Sequence, residues 1–168
     1  MDTTILTTAR LTLRLFTMDD IEELFAITNE ADIFRYFPTR TGWTVEKTER
    51  SIFHQTQHWE KFGYGQMAVT LTESGQLMGW CGLEFLPETN ETEVGYLLSK
   101  SFWGLGYATE ASKESVRFGV EKAGLREIIG LTDPENVASQ KVLQKCGMAF
   151  TRRQVYFGME MFRFAIQA

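Results

Sequence analysis

Apolar and polar residues alternate from Arg10 to Phe16, with Leu11, Leu13 and Leu15 set against Thr12 and Arg14, and a period of two is that of a strand. Thr17-Met18-Asp19-Asp20 follows as a capping-box variant, with Asp20 reaching back to the start of a helix. Ile21, Leu24, Phe25 and Thr28 then recur at helical spacing, and a second helix is expected from Val45 to about Phe62, with Ile52, Thr56 and Trp59 on one stripe. Gln66 to Thr72 and Leu77 to Leu86 read as strands joined by a hairpin-type turn at Glu73-Ser74-Gly75-Gln76. Thr92 to Ser99 reads as a third strand, apolar enough to be covered on both faces.

A long helix is expected from Tyr107 to Ala123. Ala108, Ala111, Ser112, Ser115, Val116 and Gly119 fall on one stripe, and their small size predicts a close approach to the neighbouring layer. Gly124 suits the position just past its end. Leu125 to Thr132 is a further strand. Asp133 as N-cap and Pro134 at the first helical position open another helix, which Gly147 closes. Met148 to Gln167 reads as two strands turning near Phe157-Gly158. The order is strand, two helices, three strands, helix, strand, helix, two strands: an α/β fold with about four helices flanking a mixed sheet. With no linker, repeat or low-complexity tract, residues 1–168 form a single domain.

Composition narrows the function classes. A net charge of −5 argues against a nucleic-acid partner, which needs a Lys/Arg-rich face. No stretch reaches the ~18 apolar residues that span a membrane, and the start, Met1 to Ile5, carries no leader pattern. A cytoplasmic location is the expectation, with Cys81 and Cys146 as buried free thiols.

The chemistry is concentrated between Glu93 and Ala111. A strand runs into a turn containing Gly104 and Gly106, which opens directly into the long helix. Glycines let the backbone come close to an anion, and the first amides of a helix have no internal acceptor and point outward along the positive end of the dipole. A pyrophosphate is therefore expected over Gly104, Leu105, Gly106, Tyr107, Ala108 and Thr109. The ligand is not a simple dinucleotide: Thr109 stands where the third glycine or alanine belongs, and the phosphate loop ending in Gly-Lys-Ser/Thr is absent.

These residues resemble the GCN5-related N-acetyltransferases (GNAT), whose central helix is entered through Gln/Arg-x-x-Gly-x-Gly/Ala. Here that entry is Ser101-Phe102-Trp103-Gly104-Leu105-Gly106, with Ser101 in place of the usual Gln or Arg. Trp103 to Ala111, Arg10 to Arg14, Glu93 to Tyr96 and Asn136 to Phe150 are similar to the branch containing the ribosomal-protein N-terminal acetyltransferases, so the resemblance covers nearly the whole chain. It implies a mostly antiparallel sheet of about six to seven strands, splayed between the fourth and fifth. It implies acetyl-CoA as cosubstrate, with its pantetheine arm in the splay, and an amine acceptor, possibly a protein N-terminus; the alternatives are a small amine such as an antibiotic, polyamine or amino acid, or a module that binds CoA esters without turnover. It further implies that backbone groups of Leu97, Leu98 and Ser99 pair with the arm, that Trp103 packs beside it and that Asn136 hydrogen-bonds it. Ser139 would protonate the departing thiolate. A monomer or a homodimer is compatible with all of this.

The mechanism expected is direct attack in a ternary complex. A base must take a proton from the ammonium, and a strand amide near Leu97 would face the developing oxyanion. Glu93, acting through a water, is the first choice of base, with Tyr96 and Glu84 as rivals. On that basis Glu93→Gln should lower turnover chiefly below neutral pH. No metal is needed: His54 and His58 stand one helical turn apart but lack a third ligand, and a solvated helix face explains them. Phe34, Tyr36, Phe37, Trp43 and Trp59 either line an acceptor pocket or fill core. Arg152 and Arg153 are exposed strand residues or meet an acidic acceptor.

Overall fold

The computed structural model describes residues 3–168; Met1 and Asp2, part of the stretch searched for a leader, lie outside them. Eight strands form one sheet, one more than the pattern predicted: β1 (Thr4–Thr7), β2 (Leu11–Arg14), β3 (Gln66–Leu71), β4 (Leu77–Leu86), β5 (Glu91–Leu98), β6 (Glu127–Thr132), β7 (Ala149–Tyr156) and β8 (Met159–Gln167). Their order is β1-β2-β3-β4-β5-β6-β8-β7. The extra strand, β1, is four residues long with no alternation that marks it, and it exists because β2 offers it a free edge. Four helices flank the sheet: α1 (Ile21–Thr28), α2 (Val45–Phe62), α3 (Tyr107–Glu121) and α4 (Val137–Lys145). Every neighbouring strand pair is antiparallel except β5 and β6, which run parallel and meet at the single pair Glu93 and Ile129.

Each helix forms where its ends are capped and one face is apolar. Thr17 and Asp20 make the expected box, the Thr17 amide donating to Asp20 Oδ2 at 2.8 Å. Asp20 also receives both Nη atoms of Arg14, at 2.8 and 2.6 Å, which ties β2 to the start of α1. Thr44 caps α2 by accepting from the Lys47 amide, and Gly63 ends it at φ +72°. α4 begins three residues later than the Asp-Pro pair suggested. Asp133 turns its carboxylate onto the Glu135 amide instead of capping a helix, and Asn136 takes the capping position.

The two faces of the sheet carry separate cores. On one, Leu24 and Ile27 of α1 and Ile52 of α2 bury Ala68, Leu77 and Leu97. On the other, Val116 of α3 and Leu143 of α4 cover Leu83, Val94, Ile128 and Phe164. The small residues of α3 bring it as close as expected: a Cβ on Gly119 would stand 2.7 Å from both Ile128 Cδ1 and Leu83 Cδ1. Cys81 and Cys146 are free and buried. Among the described residues no helix is long and apolar enough to cross a membrane.

His58 corrects one expectation. It is 5% exposed rather than solvated. Its Nδ1 bonds the Tyr64 carbonyl at 2.8 Å and its Nε2 accepts from the Phe85 amide at 3.1 Å, so the ring joins α2 to β4 with its proton on Nδ1. His58→Ala should remove about 3 kcal/mol of stability, by stranding two backbone groups and opening a void beside Phe62. Equilibrium denaturation tests this; an unchanged midpoint would show that the bridge contributes nothing.

Candidate active site

The phosphate end is built by the turn between β5 and α3. Gly104 and Gly106 adopt φ +73° and +83°, values that favour glycine. Gly106 occupies the capping position of α3 with no side chain bonded there, and its carbonyl accepts first from the Glu110 amide at 3.0 Å. The amides of Tyr107, Ala108 and Thr109 accordingly have no acceptor within the helix. A Cβ on Gly104 would meet nothing within 4 Å, so the mouth is open. Arg10 stands beside it, a residue read only as part of a strand. Its guanidinium holds Glu110 at 2.7 Å and the Leu105 carbonyl at 3.0 Å, and lies 4.1 Å over the Tyr107 ring. Nothing in the local sequence marks this, because its partners lie about a hundred positions away.

Past Glu93 the strands β5 and β6 no longer pair, which leaves a gap between them. Backbone direction alternates along β5. The Ser99 amide donates to Met78 on β4 at 2.8 Å, so Leu97 and Ser99 turn their backbone groups toward β4, while Tyr96 and Leu98 turn theirs into the gap. Of the backbone groups expected along a pantetheine arm, those of Leu97 and Ser99 are thus turned to β4, whereas those of Leu98, and of Tyr96 beside it, face the gap. The Ser99 hydroxyl is also committed, donating to Glu30 Oε1 at 2.6 Å. Trp103 sits at the gap with its indole N–H on the Leu98 carbonyl at 2.7 Å. An open amide mouth leading into an unpaired strand edge fits a diphosphate carrying an extended amide arm.

Side chains alternate as well, so Glu93 and Tyr96 project from opposite faces. Tyr96 lies on the α3/α4 face and its hydroxyl donates to Ser139 Oγ at 3.1 Å. Burial pushes the phenol up to about 12, which keeps that donor protonated. Asn136 accepts from the Ser139 amide at 3.2 Å, so its oxygen serves as a helix cap.

Glu93 lies on the α1/α2 face, opposite Glu84 across the β4–β5 ladder. Burial, and then the nearby Glu84 carboxylate, raise its pKa to about 8, against a bond from the Leu131 amide that favours the charged form. Glu84 is held by His54 Nε2 at 2.9 Å and Gln55 Nε2 at 2.8 Å. Both carboxyls line a cavity of about 640 Å³ between α2 and the sheet. Of the five aromatics weighed as a pocket wall, Trp43 lines it. Phe34 and Phe37 pack in the core, and Trp59 bonds the Gln66 carbonyl. Trp80, Gln55, Gln66 and Phe157 line it without having been singled out. The alternation Trp80, Gly82, Glu84 placed Trp80 beside a named carboxylate and was the available signal. Arg153 pairs with Glu160 and Arg152 with Gln154, both on the exposed surface. Among the described residues no group of three or more His, Cys, Asp or Glu side chains could hold a metal ion.

This is the architecture of a CoA-dependent acyltransferase. The model of the GNAT acetyltransferase domain matches residues 10–149, and the chain belongs to that family of acetyl-CoA-dependent N-acetyltransferases. The Bacillus subtilis protein YkkB is 31% identical over 153 residues, 88% of this chain and 86% of that one. The RimL ribosomal L7/L12 α-N-protein acetyltransferase, solved with coenzyme A, superposes with a TM-score of 0.82 at 15% identity, over 98% of this chain and 97% of that one. The Vibrio cholerae spermidine N-acetyltransferase, solved with CoA and spermine, gives 0.77 at 16% identity over 95% and 96%. At these identities the structural likeness is one of fold.

Two predictions follow from this geometry. Gly106→Trp should abolish CoA binding in calorimetry while circular dichroism stays native, because both the positive φ and the open approach are lost; retained affinity would remove the mouth from the site. The second concerns stability. A carboxyl whose pKa is raised on folding stabilises the fold below its unfolded pKa, and that contribution is lost as pH rises to the folded value. The protein should therefore lose stability relative to Glu93→Gln between about pH 4.5 and 8. Urea unfolding at pH 5 and 8.5 measures the difference; a constant offset would show that Glu93 titrates normally.

Proposed function

We propose that the chain transfers acetyl directly to a primary amine seated in the α2 cavity, with Glu93 as base and Ser139 as acid. One observation carries this reading: the sheet opens at Glu93, and from that point a neutral carboxyl projects on one face while a hydroxyl pair projects on the other.

The cosubstrate supplies an activated thioester carbon, and the residues do the rest. An incoming ammonium is the opposite charge that favours ionised Glu93, whose own proton is lost to solvent, after which the carboxylate takes the ammonium's proton, directly or through a water. Amide N–H groups of Tyr96 and Leu98 face the gap, where a carbonyl oxygen gaining charge needs donors. As the nitrogen–carbon bond forms and the carbon–sulfur bond breaks, Ser139 gives a proton to sulfur and Tyr96 stands behind it as the donor that replaces it. Proton removal and delivery thus occur on opposite faces, so the acid and base cannot neutralise each other. Asn136 holds the Ser139 turn in place, and the amides of Gly104 to Thr109 grip the pyrophosphate.

The acceptor has two readings. Likeness to the ribosomal-protein enzymes supports a protein or peptide N-terminal amine. The cavity supports a small-molecule amine, because a recess of about 640 Å³ walled by aromatics encloses a compact body better than an extended chain. We favour the second.

The raised pKa reverses the pH expectation drawn from the sequence. Below pH 8 the wild type already lacks an ionised Glu93 in its free state, so the ratio of wild-type to Glu93→Gln kcat/KM should be near one at pH 6 and climb to ~100 at pH 9. Free-thiol release across that range reads it, and a flat ratio would remove Glu93 from the mechanism. Ser139→Ala should lower kcat about tenfold or more while KM for acetyl-CoA holds; equal kcat would leave the hydroxyl a spectator.

A further inference from the structure

Gln66 has a role that the transfer chemistry leaves unassigned. Its carboxamide oxygen Oε1 is buried and has no hydrogen-bond donor. The residue is pinned on both sides by α2: its amide donates to Gln55 Oε1 at 2.9 Å, and its carbonyl accepts from Trp59 Nε1 at 3.0 Å. Its side chain crosses Gly95, where an added Cβ would stand 3.4 Å from Gln66 Nε2. Gln66 therefore lines the cavity beside the strand that carries Glu93, with a buried carboxamide oxygen that has no donor. Leaving such an oxygen without a donor costs about 1–3 kcal/mol, and native proteins rarely do so without cause.

The rest of the cavity states what is missing. Its polar end presents Gln66, Glu93 and Glu84; His54 bonds Glu84 at 2.9 Å, and Lys61 at the rim lies 4.9 Å over the Phe62 ring. An ammonium group, with three donors and no acceptor, complements that end. The remainder is apolar. Trp43 and Trp80 stack at 5.4 Å, and Phe16 and Phe157 complete the wall. The outer face of Trp43 already meets Lys47 Nζ at 5.2 Å, which leaves no vacant place for a second cation there. An α-carboxylate would lie beside the carboxyl groups of Glu93 and Glu84, where like charge opposes it.

We propose that the acceptor is a free monoamine on an apolar, arene-sized body, with no carboxylate on the adjacent carbon, and that Gln66 Oε1 accepts an N–H from its ammonium. This rests on the transfer reading above. The test compares kcat/KM, by thiol release from acetyl-CoA, for 2-phenylethylamine, phenylalanine, spermidine and a short peptide amide with a free N-terminus. 2-Phenylethylamine should exceed each of the others by about 100-fold or more, the scale of an unpaired buried charge or a badly filled apolar pocket. Faster turnover of spermidine, phenylalanine or the peptide would overturn the substrate class and leave acetyl transfer standing; no thiol release with any amine would overturn both. Gln66→Leu should raise KM for 2-phenylethylamine about tenfold, the effect of one hydrogen bond, with KM for acetyl-CoA and the melting temperature held. An equal rise in both KM values, or none in either, would overturn the role of Gln66.

Discussion

The structure depends on a sheet that stops pairing at one residue. β5 and β6 share the bridge between Glu93 and Ile129 and then separate, although every other adjacent pair is stitched over several residues. A strand edge inside a sheet leaves backbone donors and acceptors unmet, which a protein avoids unless something else meets them. The family's cosubstrate carries an amide-bearing arm of the right extended form, and the turn above the gap ends in free helix amides suited to its phosphates. On the proposed reading, the opening in the sheet and the mouth of α3 are two halves of one binding surface, and a substitution that zipped β5 to β6 would close the first of them.

From that opening the division of chemistry follows by alternation. Three residues separate Glu93 from Tyr96, an odd number, so one side chain meets α2 and the other meets α4. The proposed base Glu93 is therefore surrounded by the cavity beside α2, while the proposed acid Ser139 belongs to the α3/α4 layer. The electrostatics differ accordingly. Glu84 takes donors from His54 and Gln55, whereas Glu93 receives only a backbone bond, and burial and the facing Glu84 raise its pKa.

Much of this was legible in the chain. The two glycines before a capless helix signal an anion site on local grounds, and the small stripe of α3 signals close packing. Glu93 and Ser139 stand in motifs with a defined order. What was not legible depends on contacts between distant segments. β1 has no pattern of its own and is templated by β2. His58 looks like a surface residue until Tyr64 and Phe85 close on it. The backbone direction of Leu97 and Ser99 was not legible because it is set by registry with β4, and that registry is visible only once Met78 is seen opposite Ser99.

The departure of Ser101 from the family's Gln or Arg has a physical account in the same distant contacts. Ser99 and Ser101 are 3.1 Å apart through their hydroxyls, and Glu30 receives Ser99 Oγ together with the Lys100 amide at 2.8 Å. The turn that leads to the phosphate mouth is thereby braced by a carboxylate from the end of α1. A long side chain at position 101 would compete for the space and the donors that this brace uses. Arg10 meanwhile supplies a cation beside the mouth and holds the Leu105 carbonyl, so that the carbonyl is not left facing the anion site. Arg10 is itself anchored by Glu110, so the turn is held from the segment before β2, and the first amides of α3 are left without an intrahelical acceptor.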